Sequence, residues 1–111
     1  MEGREQRSRR RRPLIVEVKV QQSDEVYLYT ARNLSVGGMF IDTPVPLPPG
    51  TDLALEFKLP GGDALEVGGE VRWNTNSGAP GVRIKHPGMG VGFKDLPPTG
   101  HQRLLSWVEG S

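Results

Sequence analysis

The sequence contains no cysteine. That absence excludes a disulfide framework, thiol catalysis and thiolate metal sites, and it suits a reducing compartment. No apolar run approaches the roughly 20 residues that span a bilayer. Basic residues open the chain, yet Pro13 and a strand-like alternation stand where a signal peptide has its apolar core. The expectation is a soluble, cytoplasmic protein without membrane insertion. With 111 residues the chain has room for one domain and one modest core. A catalytic domain and a regulatory one do not both fit, so any regulation acts on partners.

What is present begins with a hidden charge split. The formal net charge is only +1. Residues 1–12 nevertheless hold six arginines against Glu2 and Glu5, a net of +4. Residues 13–111 carry 8 basic and 11 acidic side chains, a net of −3. The chain therefore divides into an Arg-rich tail, 1–12, expected to be flexible, and a mildly acidic body, 13–111.

Fifteen glycines and ten prolines favour turns over helices. Between them the residues alternate. Leu14, Val16, Val18 and Val20 share one parity, with Glu17 and Lys19 on the other, which predicts a half-buried strand. Residues 26–32 (VYLYTAR) are β-branched and aromatic and read as a second strand. Met39-Phe40-Ile41 follows a Gly-Gly punctuation, and residues 44–50 (PVPLPPG) lack the N–H groups a central strand needs. Leu53, Leu55, Phe57 and Leu59 alternate with polar neighbours, and Leu65, Val67, Val71 and Trp73 share a parity beyond the turn 60–63. These two runs predict a hairpin. Residues 74–81 read as a loop, and 82–85 and 91–93 as short strands. Thr99 and Gln102 have capping-box spacing before Leu104, Leu105 and Val108, so a short helix is expected to end the chain and to dock on the sheet. Six or seven short strands with frequent turns indicate a sandwich or small barrel.

Several candidate sites read as structure. His86 and His101 stand alone, without a serine or aspartate at a recognised spacing. Gly88-x-Gly90-x-Gly92 lacks the strand–helix context of a dinucleotide fingerprint and reads as a strand with close backbone packing. Trp73 and Trp107 read as core residues. The carboxylates fall singly on solvent-facing parities, so neither an acid/base pair nor a metal cage is expected. The expectation is a protein without catalytic residues, metal or resident cofactor.

Two segments carry more. Arginine offers a planar, permanently charged fork of five donors that suits phosphate, the O6/N7 edge of guanine and base stacking. In the tail only Arg7 and Arg11 have i, i+4 spacing, and the first strand starts soon after them. The second segment is Asn33-Leu34-Ser35-Val36-Gly37-Gly38. Asn33 presents both a donor and an acceptor, and Ser35 a rotatable hydroxyl. Gly37 and Gly38 permit positive φ and close approach of backbone N–H groups to an anion. Each segment alone also fits a solvated tail and an ordinary turn.

Together, Arg-x-x-x-Arg, a strand pair and Asn-x-Ser-x-x-Gly resemble the PilZ domain family, which binds the bacterial second messenger cyclic di-GMP through RxxxR and (D/N)xSxxG. Gly69-Glu70-Val71-Arg72-Trp73 is similar to a GxVxW strand of that family, and Gly88-Met89-Gly90-Val91-Gly92-Phe93 to its last strand. The resemblance covers about residues 4–109. It implies an all-β fold, a six-stranded antiparallel β-barrel with a short C-terminal α-helix behind a basic N-terminal tail. It implies that Arg7 and Arg11 stack on guanine and reach phosphate, that Asn33 meets a guanine edge, and that Ser35 lies at a phosphate. Gly37 and Gly38 would bring the loop backbone to the ligand. Arg10 and Arg12 lie in the same run and can substitute in register. Gln6 precedes Arg7, at a position that in that family relates to whether one or two ligand molecules bind. The function expected is a receptor whose tail, disordered when free, closes on cyclic di-GMP and signals to a protein effector. Two alternatives stand beside it: a PilZ-like interaction module that binds no nucleotide, and nonspecific nucleic-acid binding by the tail. Specific nucleic-acid recognition is not expected.

Overall fold

The computed structural model describes residues 15–59, 62, 64–77 and 86–109. The tail arginines and the strand expected at 82–85 lie outside the described residues.

Alternating sequence becomes alternating burial. In β1 (Val16–Gln22) Val16, Val18 and Val20 point inward, while Glu17, Lys19 and Gln21 face water. A two-residue turn, with Ser23 at φ 54, returns the chain as β2 (Glu25–Arg32). Then come β3 (Gly38–Asp42), β4 (Asp52–Lys58), β5 (Ala64–Asn74), a 3-10 turn at Thr75–Ser77 and β6 (Gly88–Phe93). The expected hairpin is β4–β5, in register from Asp52↔Glu70 to Lys58↔Ala64. All pairings are antiparallel, and the order β1-β2-β3-β6-β5-β4 closes when β4 pairs with β1. Closure satisfies the backbone groups that an open sheet leaves at its edges. One stretch escapes it. The short β3 meets only Thr30, Ala31 and Arg32 of β2, so the first half of β2 runs past its neighbour.

The inward residues form one core, which includes Val18, Val20, Ile41, Leu55, Phe57, Val71 and Met89. Burying each large apolar side chain contributes roughly 1.5–3 kcal/mol. Phe57 and Phe93 stack inside the barrel with centroids 5.9 Å apart. The Pro-rich segment forms no strand. It is held by a hydrogen bond from Asn74 Nδ2 to Leu47 O at 2.9 Å.

Helix α1 (Pro98–Glu109) adds Leu104 and Val108 to the core and seats Gly100 against Leu65. It starts before the expected cap. Pro98 is its first residue, where the missing N–H costs nothing, and Thr99 lies inside the first turn. Leu105 and Trp107 are half-buried.

One inward assignment is corrected. Trp73 shares the parity of Val67 and Val71, yet it is 52% exposed. Val71 pairs with Val91 while Trp73 pairs with Gly90, so β5 carries one extra residue, Arg72. That bulge turns the indole to the outside.

Candidate functional site

The connection from β2 to β3 is fixed from several sides. Asn33 leaves β2 with φ 56, the left-handed conformation that asparagine tolerates better than most residues. The chain then drops Leu34 into the core with no exposed surface. Ser35, buried next to it, donates its N–H to Gly38 O at 2.9 Å. Its hydroxyl accepts from Gly37 N–H at 3.3 Å and donates to Gly38 O at 3.4 Å. Phe93 N–H donates to Gly37 O at 2.9 Å, which ties the loop to the end of β6.

The two glycines of this loop differ from expectation and from each other. Neither has positive φ; in the loop that conformation falls on Asn33. Gly38 is already the first residue of β3 and pairs with Gly92. A Cβ there would lie 2.1 Å from Val91 O, so the close approach of β6 requires glycine. Gly37 is exposed, and a Cβ there would meet only Ser35 Oγ at 4.0 Å.

Beside the loop, the outer face of β6 is a track of glycines, each covered by a side chain from a neighbouring strand. A Cβ on Gly88 would lie 2.5 Å from the Phe40 ring, one on Gly90 2.2 Å from Trp73 Nε1, and one on Gly92 2.5 Å from Arg72 Nε. The Phe40 and Trp73 rings are 5.5 Å apart and tilted by 31°. Arg32 reaches across β2–β3 to Asp42, with Nε and one terminal nitrogen both 2.9 Å from Oδ2. Arg72 is exposed and has no carboxylate partner among the described residues.

Loop and track together line one open cavity of about 710 Å³. Asn33, Ser35, Gly37 and Gly38 form one wall, and Phe40, Arg72, Trp73, Gly90 and Gly92 another, with Arg32 and His86 also lining it. An aromatic face, an exposed guanidinium and an amide suit a planar, anionic ligand. Arg7, Arg10, Arg11 and Arg12, the remaining predicted site residues, lie outside the described residues. In the sequence they come shortly before β1. Val16 sits opposite Ala31, two residues before Asn33. From Arg11 to Val16 an extended chain spans at most about 17 Å.

Arg32, Phe40, Arg72 and Trp73 also line the cavity, although their sequence context did not mark them as site residues. A usable signal was the Gly-x-Gly-x-Gly spacing of β6, since glycines on one face of a strand invite large side chains onto it.

A family model described as the PilZ domain matches residues 5–110. No curated protein matches the chain. Among solved structures, the inhibitor of motility MotI (DgrA) of Bacillus subtilis has a TM-score of 0.75 at 21% identity, over 89% of this chain and 47% of that one. The chain thus spans about half the length of that protein. The PilZ domain of CeSA from a cellulose-synthesizing bacterium gives 0.61 at 16% identity, covering 90% of this chain and 95% of that one. The PilZ domain of Escherichia coli YcgR, solved with c-di-GMP, gives 0.63 at 14% identity, with 86% and 80% covered. At these identities the likeness to the solved structures is one of fold.

Proposed function

Because this chain belongs to the PilZ domain family, we propose that it is a receptor for cyclic di-GMP. The observation that carries the reading is convergence. The Asn33-x-Ser35-x-x-Gly38 loop lines the same cavity as an exposed indole and an exposed guanidinium. A cavity of about 710 Å³ lies within the range of small-molecule sites.

In this reading Asn33 reads a guanine edge. Ser35 holds the loop shape through Gly37 and Gly38 and lies close to phosphate, with Gly37 and Gly38 presenting backbone to the ligand. Trp73 offers a face for stacking, and Arg72 a positive charge for a dianion. Arg7 and Arg11, with Arg10 and Arg12 in the same run, arrive from upstream of β1 and close over the bound nucleotide. Ordering about six residues costs on the order of 6–12 kcal/mol. Binding near 1 μM needs a net of about −8 kcal/mol. Charge-assisted bonds and stacking at roughly 1–3 kcal/mol each must supply both. Closure then changes the surface that a protein effector reads.

Titration calorimetry tests this. Cyclic di-GMP is expected to release heat with a saturable isotherm that also counts one or two molecules per chain, while GTP and cyclic GMP bind far more weakly. Arg11→Ala is expected to weaken binding more than Ser35→Ala. Absence of heat at about 100 μM ligand, where even a Kd of tens of micromolar would register, contradicts the proposal.

A further inference from the structure

Among the described residues, nothing pairs with the outer side of the first half of β2. Residues 25–29 pair with β1 on one side, and on the other the β3 register stops at Thr30↔Asp42. Native proteins protect such edges with lysine, proline, a bulge or a covering segment. Residues 26–30 (VYLYT) contain none of these devices and no charge. Val26 is 55% exposed and Leu28 65% exposed, both on the outer face. Tyr27 and Tyr29 stack on the other face with centroids 5.7 Å apart, and the Tyr27 hydroxyl donates to Glu25.

The backbone sets a register. The two-residue turn closes on Gln22↔Glu25, so odd-numbered residues of β2 bond to β1 and even-numbered ones direct N–H and C=O outward. Among the described residues, those of Val26 and Leu28 find no strand there. A second copy in antiparallel two-fold register about Tyr27 sets Val26 against Leu28 of that copy, and Leu28 against its Val26. Each pair exchanges both bonds, so every outward group of this stretch is used.

Side chains agree with that register. Across the outer face the row would run Glu56, Lys19, Leu28, then Val26, Gln21 and Ala54 of the second copy. The Lys19–Glu56 ion pair stays intact within one chain. Apolar residues meet at the seam, and no like charges stand opposite, which would destabilise a strand pair. We propose that this edge is a self-association surface, joining two copies of the chain through β2. The binding loop leaves β2 at its other end, so pairing leaves the cavity open. The contact is small beside the roughly 1,200–2,000 Å² of a stable interface, which makes it a weak, reversible dimer.

Sedimentation between about 10 and 500 μM, with amide hydrogen exchange at both ends of that range, tests the idea by mass action. Wild type is expected to shift reversibly from monomer to dimer. Exchange at Val26 and Leu28 should slow with concentration, while Tyr27 and Tyr29, bonded to β1, stay unchanged. Leu28→Lys, an exposed substitution, should raise the dimer Kd at least about tenfold by charging the seam. Three outcomes overturn the proposal: a wild type that stays monomeric throughout; a dimer that leaves the Val26 and Leu28 amides unprotected; or protection already complete at the lowest concentration in a monomer, which means another segment of the chain covers the edge.

Discussion

On β1 and β4, inward apolar residues alternate without a break with outward ones such as Glu17, Lys19, Asp52 and Lys58. On β6 and the far end of β5 the alternation fails. Three glycines sit on one outer face, a bulge inserts Arg72, and Trp73 turns out of the core. The regular wall holds the barrel together; the irregular one makes a surface with shape, aromaticity and charge. Local rules of patterning give way where a protein builds something other than stability. Here they give way along the cavity that also holds the Asn33–Gly38 loop.

Substitutions can break that contrast or sharpen it. The largest effect belongs to the regular wall. Leu55→Ala empties part of the core and should cost about 2–5 kcal/mol in urea unfolding, with the folded fraction binding cyclic di-GMP normally. Gly38→Ala comes next. Its Cβ would meet the Val91 carbonyl, so β3 and β6 must part, at roughly 1–3 kcal/mol, with affinity lost as well. Its neighbour supplies the control, because the Cβ of Gly37→Ala meets only Ser35 Oγ, at 4.0 Å, and the variant should stay within about 0.5 kcal/mol in stability. Trp73→Ala should reverse the Leu55 pattern. The indole is half exposed, so melting should change little while calorimetry registers a loss of about 1–3 kcal/mol in binding.

The smallest effect lies on an exposed ion pair away from the cavity. Lys94 donates to Asp52 Oδ1 at 2.9 Å, and that hydrogen bond, followed by the charge of Asp52, raises its pKa above the ordinary 10.5. A pKa raised by folding contributes stability below 10.5, which is lost as pH rises through the folded value. Both side chains are open to water, so the contribution is slight. Lys94→Met should flatten only the start of the alkaline loss in a stability–pH profile, leaving nucleotide binding unchanged.

Strands were legible in the sequence where one period governed burial. The parity of Val16, Val18 and Val20, and of Leu53, Leu55 and Phe57, predicted strands that the barrel contains. The loop residues Asn33, Ser35, Gly37 and Gly38 were legible because their spacing is local, and the structure brings them to one cavity. Trp73 was not legible. A bulge shifts parity by one residue, and nothing in Val71-Arg72-Trp73 announces the extra step until β6 is aligned beside it. For the same reason the glycines at 88, 90 and 92 reveal close packing but not which side chains provide it, since Phe40, Trp73 and Arg72 come from two other strands. Left-handed φ at Asn33 rather than at a glycine is a similar case, because β6 already holds Gly38 extended in β3.

Trp73 lines the cavity where the irregular wall meets the loop, so its fluorescence reports on the proposed nucleotide site. Replacing the other tryptophan, in Trp107→Phe, leaves Trp73 as the single indole emitter. Titrating that variant with cyclic di-GMP should change its emission saturably, with the midpoint found by calorimetry on the same sample, and cyclic GMP should leave it unchanged. Calorimetric binding of cyclic di-GMP with Trp73 emission unaltered would place the nucleotide elsewhere and overturn the proposed site.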